Sequence, residues 1–192
     1  MDITLIRHTE VAVGRAVCYG QSDVALADTY AAQYDRLLAH LPPHPDVVFS
    51  SPLSRCHRLA LDLANGRPLR LDDRLKEFHF GDWEGLPWSA IPREALDPWM
   101  ADFVNVRVPN GETFSELYAR TSAFWHDSVL PLAAGDAPPS VLIVTHGGVI
   151  RALLCLFLGL SLQHAYRIQL DYGSATKLTM NGSFYTIQYI NR

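Results

Sequence analysis

The stretch Val141-Leu142-Ile143-Val144-Thr145-His146-Gly147-Gly148-Val149-Ile150-Arg151 decides the fold. Four consecutive apolar residues with no polar alternation read as a strand covered on both faces. After Gly147-Gly148, residues 149–158 read as a helix. A buried strand running straight into a helix is the repeating unit of a parallel α/β sheet. The apolar run over 152–162 is broken by Gly159 and Ser161 and is too short to span a bilayer.

Working outward, the same grammar recurs. Residues 3–6 form a buried strand, and polar and glycine-containing sequence fills 9–23. Ala31, Tyr34, Leu38 and Leu41 then recur at helical spacing, until Pro42, Pro43 and Pro45 stop the helix. Residues 47–49 read as a second strand, 53–64 as a helix closed by Asn65-Gly66, and 69–71 as a short third strand. The segment 72–109 is the least regular and holds three of the four tryptophans with Pro87, Pro92 and Pro98. It reads as a lid-like insertion or small subdomain. A long helix is expected from Glu112, with Phe114, Leu117, Thr121, Phe124, Ser128 and Leu132 on one stripe. A loop over 136–139 and two or three closing strands within 166–189 complete the chain. The pattern predicts one domain over 1–192, an α/β fold with a largely parallel sheet between helices on both faces.

Composition narrows the function. The 192 residues are 48% hydrophobic and 19% charged, enough for a packed core and unlike a disordered chain. A net charge of −4 argues against a general nucleic-acid binder, although 14 of the 16 basic residues are arginine, and a few of those in one pocket would still hold an anion. Cys18, Cys56 and Cys155 are odd in number and far apart, so neither a disulfide framework nor a zinc ribbon is expected. With no signal-peptide pattern at the start, the expectation is a cytoplasmic protein.

In open α/β sheets ligands bind beyond the carboxyl ends of the strands. Those positions hold Arg7 and His8, then Ser50, Ser51 and Arg55, then Arg74, Glu77 and His79, then Thr145, His146 and Gly147. These residue types suit phosphoryl transfer. A neutral imidazole attacks phosphorus, arginine forks hold phosphate oxygens, a second histidine steadies the transition state, and a carboxylic acid protonates the leaving oxygen. Such an acid belongs on the leaving-group side, away from the arginines.

Five ordered segments carry a resemblance: Leu5-Ile6-Arg7-His8-Thr9-Glu10, Ser50-Ser51-Pro52-Leu53-Ser54-Arg55, Leu75-Lys76-Glu77-Phe78-His79-Phe80-Gly81-Asp82-Trp83-Glu84-Gly85, Pro109-Asn110-Gly111-Glu112-Thr113 and Thr145-His146-Gly147-Gly148-Val149-Ile150-Arg151. In this order they resemble the motifs of the histidine phosphatase superfamily, in its phosphoglycerate-mutase-like branch. The resemblance implies a three-layer α/β/α sandwich, mostly parallel with one antiparallel strand. It implies His8 as the phosphorylated nucleophile, a phosphate pocket of Arg7, Arg55 and His146, and Glu77 as proton donor, with no metal or other cofactor. Glu84 and Asp82 compete for the acid role. Thr9 stands where the family has glycine, with a hydroxyl that can donate to phosphate, and Cys56-His57-Arg58-Leu59-Ala60 replaces the commoner Thr-Ala ending of the second motif. Gln21, Ser22 and Gly147 join the candidate substrate-binding set, Gln21 and Ser22 with a plain turn as the competing reading.

The loop Gly14-Arg15-Ala16-Val17-Cys18-Tyr19-Gly20-Gln21-Ser22-Asp23 most resembles the α-ribazole phosphatases of the family, which act in assembling the cobalamin lower loop. On that reading Trp83, Trp88 and Tyr19 stack a flat base, or else belong to the core. The alternatives are a broad-specificity phosphatase of small molecules, a phosphoglycerate-mutase-like phosphotransferase, a binding module on the same fold with catalysis lost, and a metal hydrolase using His8, His79 and His146, which no helical His spacing supports. Arg151 is expected in an ion pair. The partner implied is a phosphorylated small molecule, with neither nucleic acid nor membrane, and a homodimer is left open.

Overall fold

The computed structural model describes residues 1–41, 44–135 and 137–192. Pro42 and Pro43 of the expected helix stop, and Asp136 of the expected 136–139 loop, lie outside the described residues. Six strands form one sheet: β1 (Asp2–Arg7), β2 (Val47–Ser50), β3 (Leu69–Leu71), β4 (Val141–Thr145), β5 (Ala175–Asn181) and β6 (Phe184–Tyr189), in the order β3-β2-β4-β1-β5-β6. The pairs β3–β2, β2–β4 and β4–β1 are parallel, while β5 is antiparallel to both its neighbours. A single strand thus runs against the rest, as the resemblance implies.

The apolar runs are explained by what covers them. Along β1 and β4, Ile3, Leu5, Val141 and Ile143 face one core, and Ile6, Leu142 and Val144 face another. The first core is completed by α4 (Phe114–Phe124) and α5 (Gly147–Leu158), the second by α1 (Tyr30–Leu38) and α2 (Ser54–Ala64). Both faces being buried, the central strands need no polar positions, and the layers are helix, sheet, helix.

Local chemistry sets the boundaries. Helix α2 ends with Asn65 in the left-handed region at φ 46°. Helix α4 begins at Phe114, because Thr113, the last residue of the Pro-x-Gly-Glu-Thr motif, closes a reciprocal capping box with Glu116. It runs into a wide π turn over Trp125–Val129 and a 3₁₀ turn over Leu130–Ala134. The π turn shifts the buried stripe. Trp125 and Val129 go into the core, while Ser128 and Leu132, expected on the stripe, are only half-buried. The 72–109 segment is more ordered than its prolines suggest. Three short 3₁₀ turns lead to α3 (Arg93–Ala101), which starts after Pro92 and carries Pro98 inside it. Two strands close the chain, preceded by a 3₁₀ stretch over Leu162–Arg167.

Candidate active site

Strand register builds the site. Arg7 on β1 lies beside Thr145 on β4, so His8 and His146 leave adjacent parallel strands at the same level. The His8 backbone N–H donates to the Thr145 carbonyl at 3.0 Å and holds the two exits together. Their imidazole centroids are 5.1 Å apart with the rings at 65°, and both residues are buried. Ser51, leaving β2, places its hydroxyl 2.8 Å from His146 Nε2, and the Cys56 thiol packs 3.4 Å from the same atom.

Arg55, in the first turn of α2, is fully buried. Its two terminal nitrogens donate to the carbonyls of Ser22 and Gly20 at 2.8 and 2.6 Å. Arg7 donates to the Leu170 carbonyl at 2.6 Å and lies 3.9 Å from the centre of the Tyr172 ring. Neither arginine meets a carboxylate within ion-pair distance among the described residues, and the Nε–H of each is buried without a protein partner. Uncompensated guanidinium charge is costly inside a protein unless an anion meets it. Burial, reinforced by Arg55 and Arg7, holds the His8 ring well below the usual histidine pKa. His146 is depressed for the same reasons, burial first, then Arg55 and His8. Both rings are therefore neutral at working pH. The His8 Nδ1–H donates to the Thr9 carbonyl at 2.7 Å, which leaves the lone pair on Nε2.

Beside this cluster opens a cavity of about 620 Å³. Arg7, Glu77 and Gly147 reach its wall, while His8, Arg55 and His146 lie behind it. Tyr19 and Tyr172 stand between. Both line the cavity, their hydroxyls share a hydrogen bond of 2.8 Å, and behind them the Tyr172 ring lies 5.5 Å from His8 and the Tyr19 ring 5.1 Å from the Arg55 guanidinium.

Among the three candidate acids, only Glu77 faces the cavity. Its carboxylate accepts from the backbone N–H of Phe78 at 2.9 Å and of Gly148 at 3.2 Å, at the N-terminus of α5. A side chain at 148 would collide with it, since a Cβ there would lie 2.4 Å from Glu77 Oε1. Glu84 is a latch instead. It accepts from the backbone N–H of Gln21, Ser22 and Phe80 and from the Ser22 hydroxyl, and so ties the 14–23 loop to the 72–109 segment. Asp82 pairs with the Asn110 amide on the exposed side.

Among the remaining candidates, Thr9, Gln21, Ser22 and Trp83 do not line the cavity. Ser22 is engaged with Glu84, and the Gln21 side chain donates to the Glu77 carbonyl at 3.0 Å. Thr9 is buried with an unpartnered hydroxyl. Trp83 belongs to the core, whereas Trp88 and Tyr19 line the cavity. Burial pushes the Cys18 thiol up to about 12, so it stays protonated beside the cavity. Arg151 departs from expectation. Among the described residues it forms no ion pair; it donates to the Ile168 carbonyl at 3.0 Å and lines the cavity 5.1 Å from the Tyr166 ring. Sequence reading missed Trp99, Tyr166 and Tyr172 on the wall, because they arrive from the 72–109 segment and the 166–172 turn, where no motif marks them. Among the described residues no group of three His, Cys, Asp or Glu is arranged to hold a metal ion, and no helix is long and apolar enough to cross a membrane.

Comparison with known proteins gives the family. The family described as "Histidine phosphatase superfamily (branch 1)" matches residues 3–192. A Hydrogenobacter thermophilus protein provisionally named phosphoserine phosphatase 2 is 30% identical over 196 residues, covering 98% of this chain and 94% of its own. A Yersinia pestis protein provisionally named phosphoglycerate mutase GpmB is 32% identical over 187 residues, covering 93% and 84%. The crystal structure of the α-ribazole phosphatase from Shigella flexneri superposes with a TM-score of 0.89 at 24% identity, covering 100% and 96%, a likeness of fold. The chain belongs to the histidine phosphatase superfamily, branch 1, and is a phosphoric monoester hydrolase.

Proposed function

We propose that the chain hydrolyses its phosphomonoester through a phosphohistidine on His8. The observation that carries this is the His8 ring. Neutral, with Nδ1–H bound to the Thr9 carbonyl, it keeps a free lone pair on Nε2 in the field of Arg55 and Arg7. Nε2 attacks phosphorus, the bond from phosphorus to the ester oxygen breaks, and Glu77, protonated at this point, gives its proton to that oxygen. Then the Glu77 carboxylate takes a proton from water, the water oxygen attacks phosphorus, and the P–N bond breaks to release phosphate. The unpartnered Nε–H groups of Arg7 and Arg55 bind the non-bridging oxygens, with His146 beside them. Gly147, at the first turn of α5, offers its backbone N–H to the same anion. Gln21 and Ser22 act indirectly, by holding the Glu77 and Glu84 segments.

For substrate we infer α-ribazole 5′-phosphate, in cobalamin lower-loop assembly. The cavity supports this, because Tyr19, Phe80, Trp88, Trp99 and Tyr166 line it with aromatic surface suited to a flat leaving group. A second reading is favoured by Arg151: a small ester carrying a carboxylate, as the names of the H. thermophilus and Y. pestis relatives suggest for those proteins. The test compares kcat/KM for α-ribazole 5′-phosphate, phosphoserine, 3-phosphoglycerate and sugar phosphates, with phosphate release measured directly. The expected result is the highest value for α-ribazole 5′-phosphate, phosphate lost to water, and no turnover in His8→Ala. Turnover of His8→Ala within tenfold of the parent would overturn the nucleophile. Higher kcat/KM for the carboxylate esters would replace the substrate.

A further inference from the structure

Arg120 lies on α4 and does not line the cavity. Its guanidinium holds the 74–77 backbone and Glu112 together. One terminal nitrogen donates to the carbonyls of Arg74 and Lys76, both at 2.7 Å, and the other donates to the carbonyl of Glu77 at 2.9 Å. The same fork pairs with Glu112, Nε to Oε2 at 3.1 Å and the second nitrogen to Oε1 at 2.7 Å. Glu112 in turn accepts from the His79 backbone N–H at 2.8 Å and donates its own N–H to the His79 carbonyl at 3.0 Å. The backbone is thus gripped at 74, 76 and 77 by Arg120 and at 79 by Glu112. The two grips are joined by an ion pair whose side chains are only 20% and 14% exposed.

Without a fixed backbone, Glu77 could not hold its carboxylate against Gly148 N–H. Residues 76–80 make no helix or strand that would hold them otherwise. A bidentate, largely shielded Arg–Glu pair is rigid, and three carbonyl acceptors leave the guanidinium one orientation. We propose that Arg120 and Glu112 form a clamp that positions the Glu77 carboxylate at the leaving-group oxygen, with Arg120 as the positioning residue. The proposal rests on the acid role of Glu77 given above.

The test uses two matched esters, phenyl phosphate and p-nitrophenyl phosphate. The first expels the more basic oxygen and depends more on a proton donor. Arg120→Met, Glu77→Gln and the double variant are compared by kcat/KM. The expected result is a selective loss in Arg120→Met, at least about tenfold larger on phenyl phosphate, with little further selective loss on adding Glu77→Gln, since the acid would already be misplaced. Arg120→Lys, which keeps the charge but not the fork, should fall between parent and Arg120→Met. It carries the same test if Arg120→Met fails to fold. Equal losses on both esters in the Arg120 variants, or fully additive selective losses in the double variant, would overturn the clamp. A flat ratio in Glu77→Gln itself would overturn the acid assignment, and the clamp with it.

Discussion

His8 and His146 are the residues where burial and charge act most strongly together, and their consequence reaches stability. Both are held neutral in the folded chain, burial acting first and Arg55 next. The unfolded chain binds protons at these rings below about pH 6.5, whereas the folded chain does not until a lower pH. Stability contributed by keeping them neutral is therefore complete above pH 6.5 and falls as acid is added, down to the folded values. The slope approaches about 1.4 kcal/mol per pH unit for each ring. Denaturant unfolding between pH 7.5 and 5.5 should show this loss, and His8→Ala should remove about half of it. Arg151 makes the second prediction at this scale. It lines the cavity and, among the described residues, pairs with no carboxylate, so Arg151→Met should lower kcat/KM for phosphoserine at least about tenfold more than for an uncharged ester of similar size. That is the scale of one charge-assisted hydrogen bond.

At the level of elements, the N-terminus of α5 and the Glu77 segment approach so closely that only a hydrogen atom fits at 148. Gly148→Ala should displace the carboxylate and slow esters with poor leaving groups by about a hundredfold, as loss of a general acid does. Because alanine favours a helix by roughly 1 kcal/mol over glycine, the melting temperature should change little. Activity falling without stability would identify the contact rather than the helix as the cause. Elements also differed in how well the sequence announced them. Three parallel strands were legible because burial on both faces leaves 3–6, 47–49 and 141–144 apolar apart from Thr4, itself buried. Helix α3 was not, because Pro92 and Pro98 read as breaks. In place one precedes the first turn and the other gives up a single interior bond. The stripe along α4 was legible as far as Phe124 and then slipped, since a π turn leaves no mark in a 3.6-residue pattern.

Across the whole molecule the two halves of the site have different origins, and their legibility follows from that. Arg7, His8, Arg55 and His146 could be found in the sequence because they lie at or just beyond strand ends, at positions the sheet fixes. Arg120, Trp99, Tyr166 and Tyr172 could not, since only the folded chain brings α4, α3 and the 166–172 turn against the Glu77 segment and the cavity. The arginine excess is likewise part site and part scaffold. Arg7 and Arg55 flank the imidazoles, whereas Arg58, Arg74, Arg93 and Arg107 pair with nearby carboxylates.

The hydrogen bond between the Tyr19 and Tyr172 hydroxyls joins a loop near the start of the chain to one near its end, in front of His8. Both rings line the cavity in front of His8, so a phosphate group entering between them would find a closed form held by this bond and an open, binding-competent one. Apparent affinity is then the intrinsic affinity scaled by the open fraction. One neutral hydrogen bond contributes about 0.5–1.5 kcal/mol. Tyr172→Phe keeps the ring against Arg7 but frees the pair, and should raise kcat/KM two- to tenfold, about equally for small and large esters, as measured by steady-state kinetics. Equal gains would mean that the speed of this phosphatase on dilute substrate is set by how often two phenols part, before any bond to phosphorus is made.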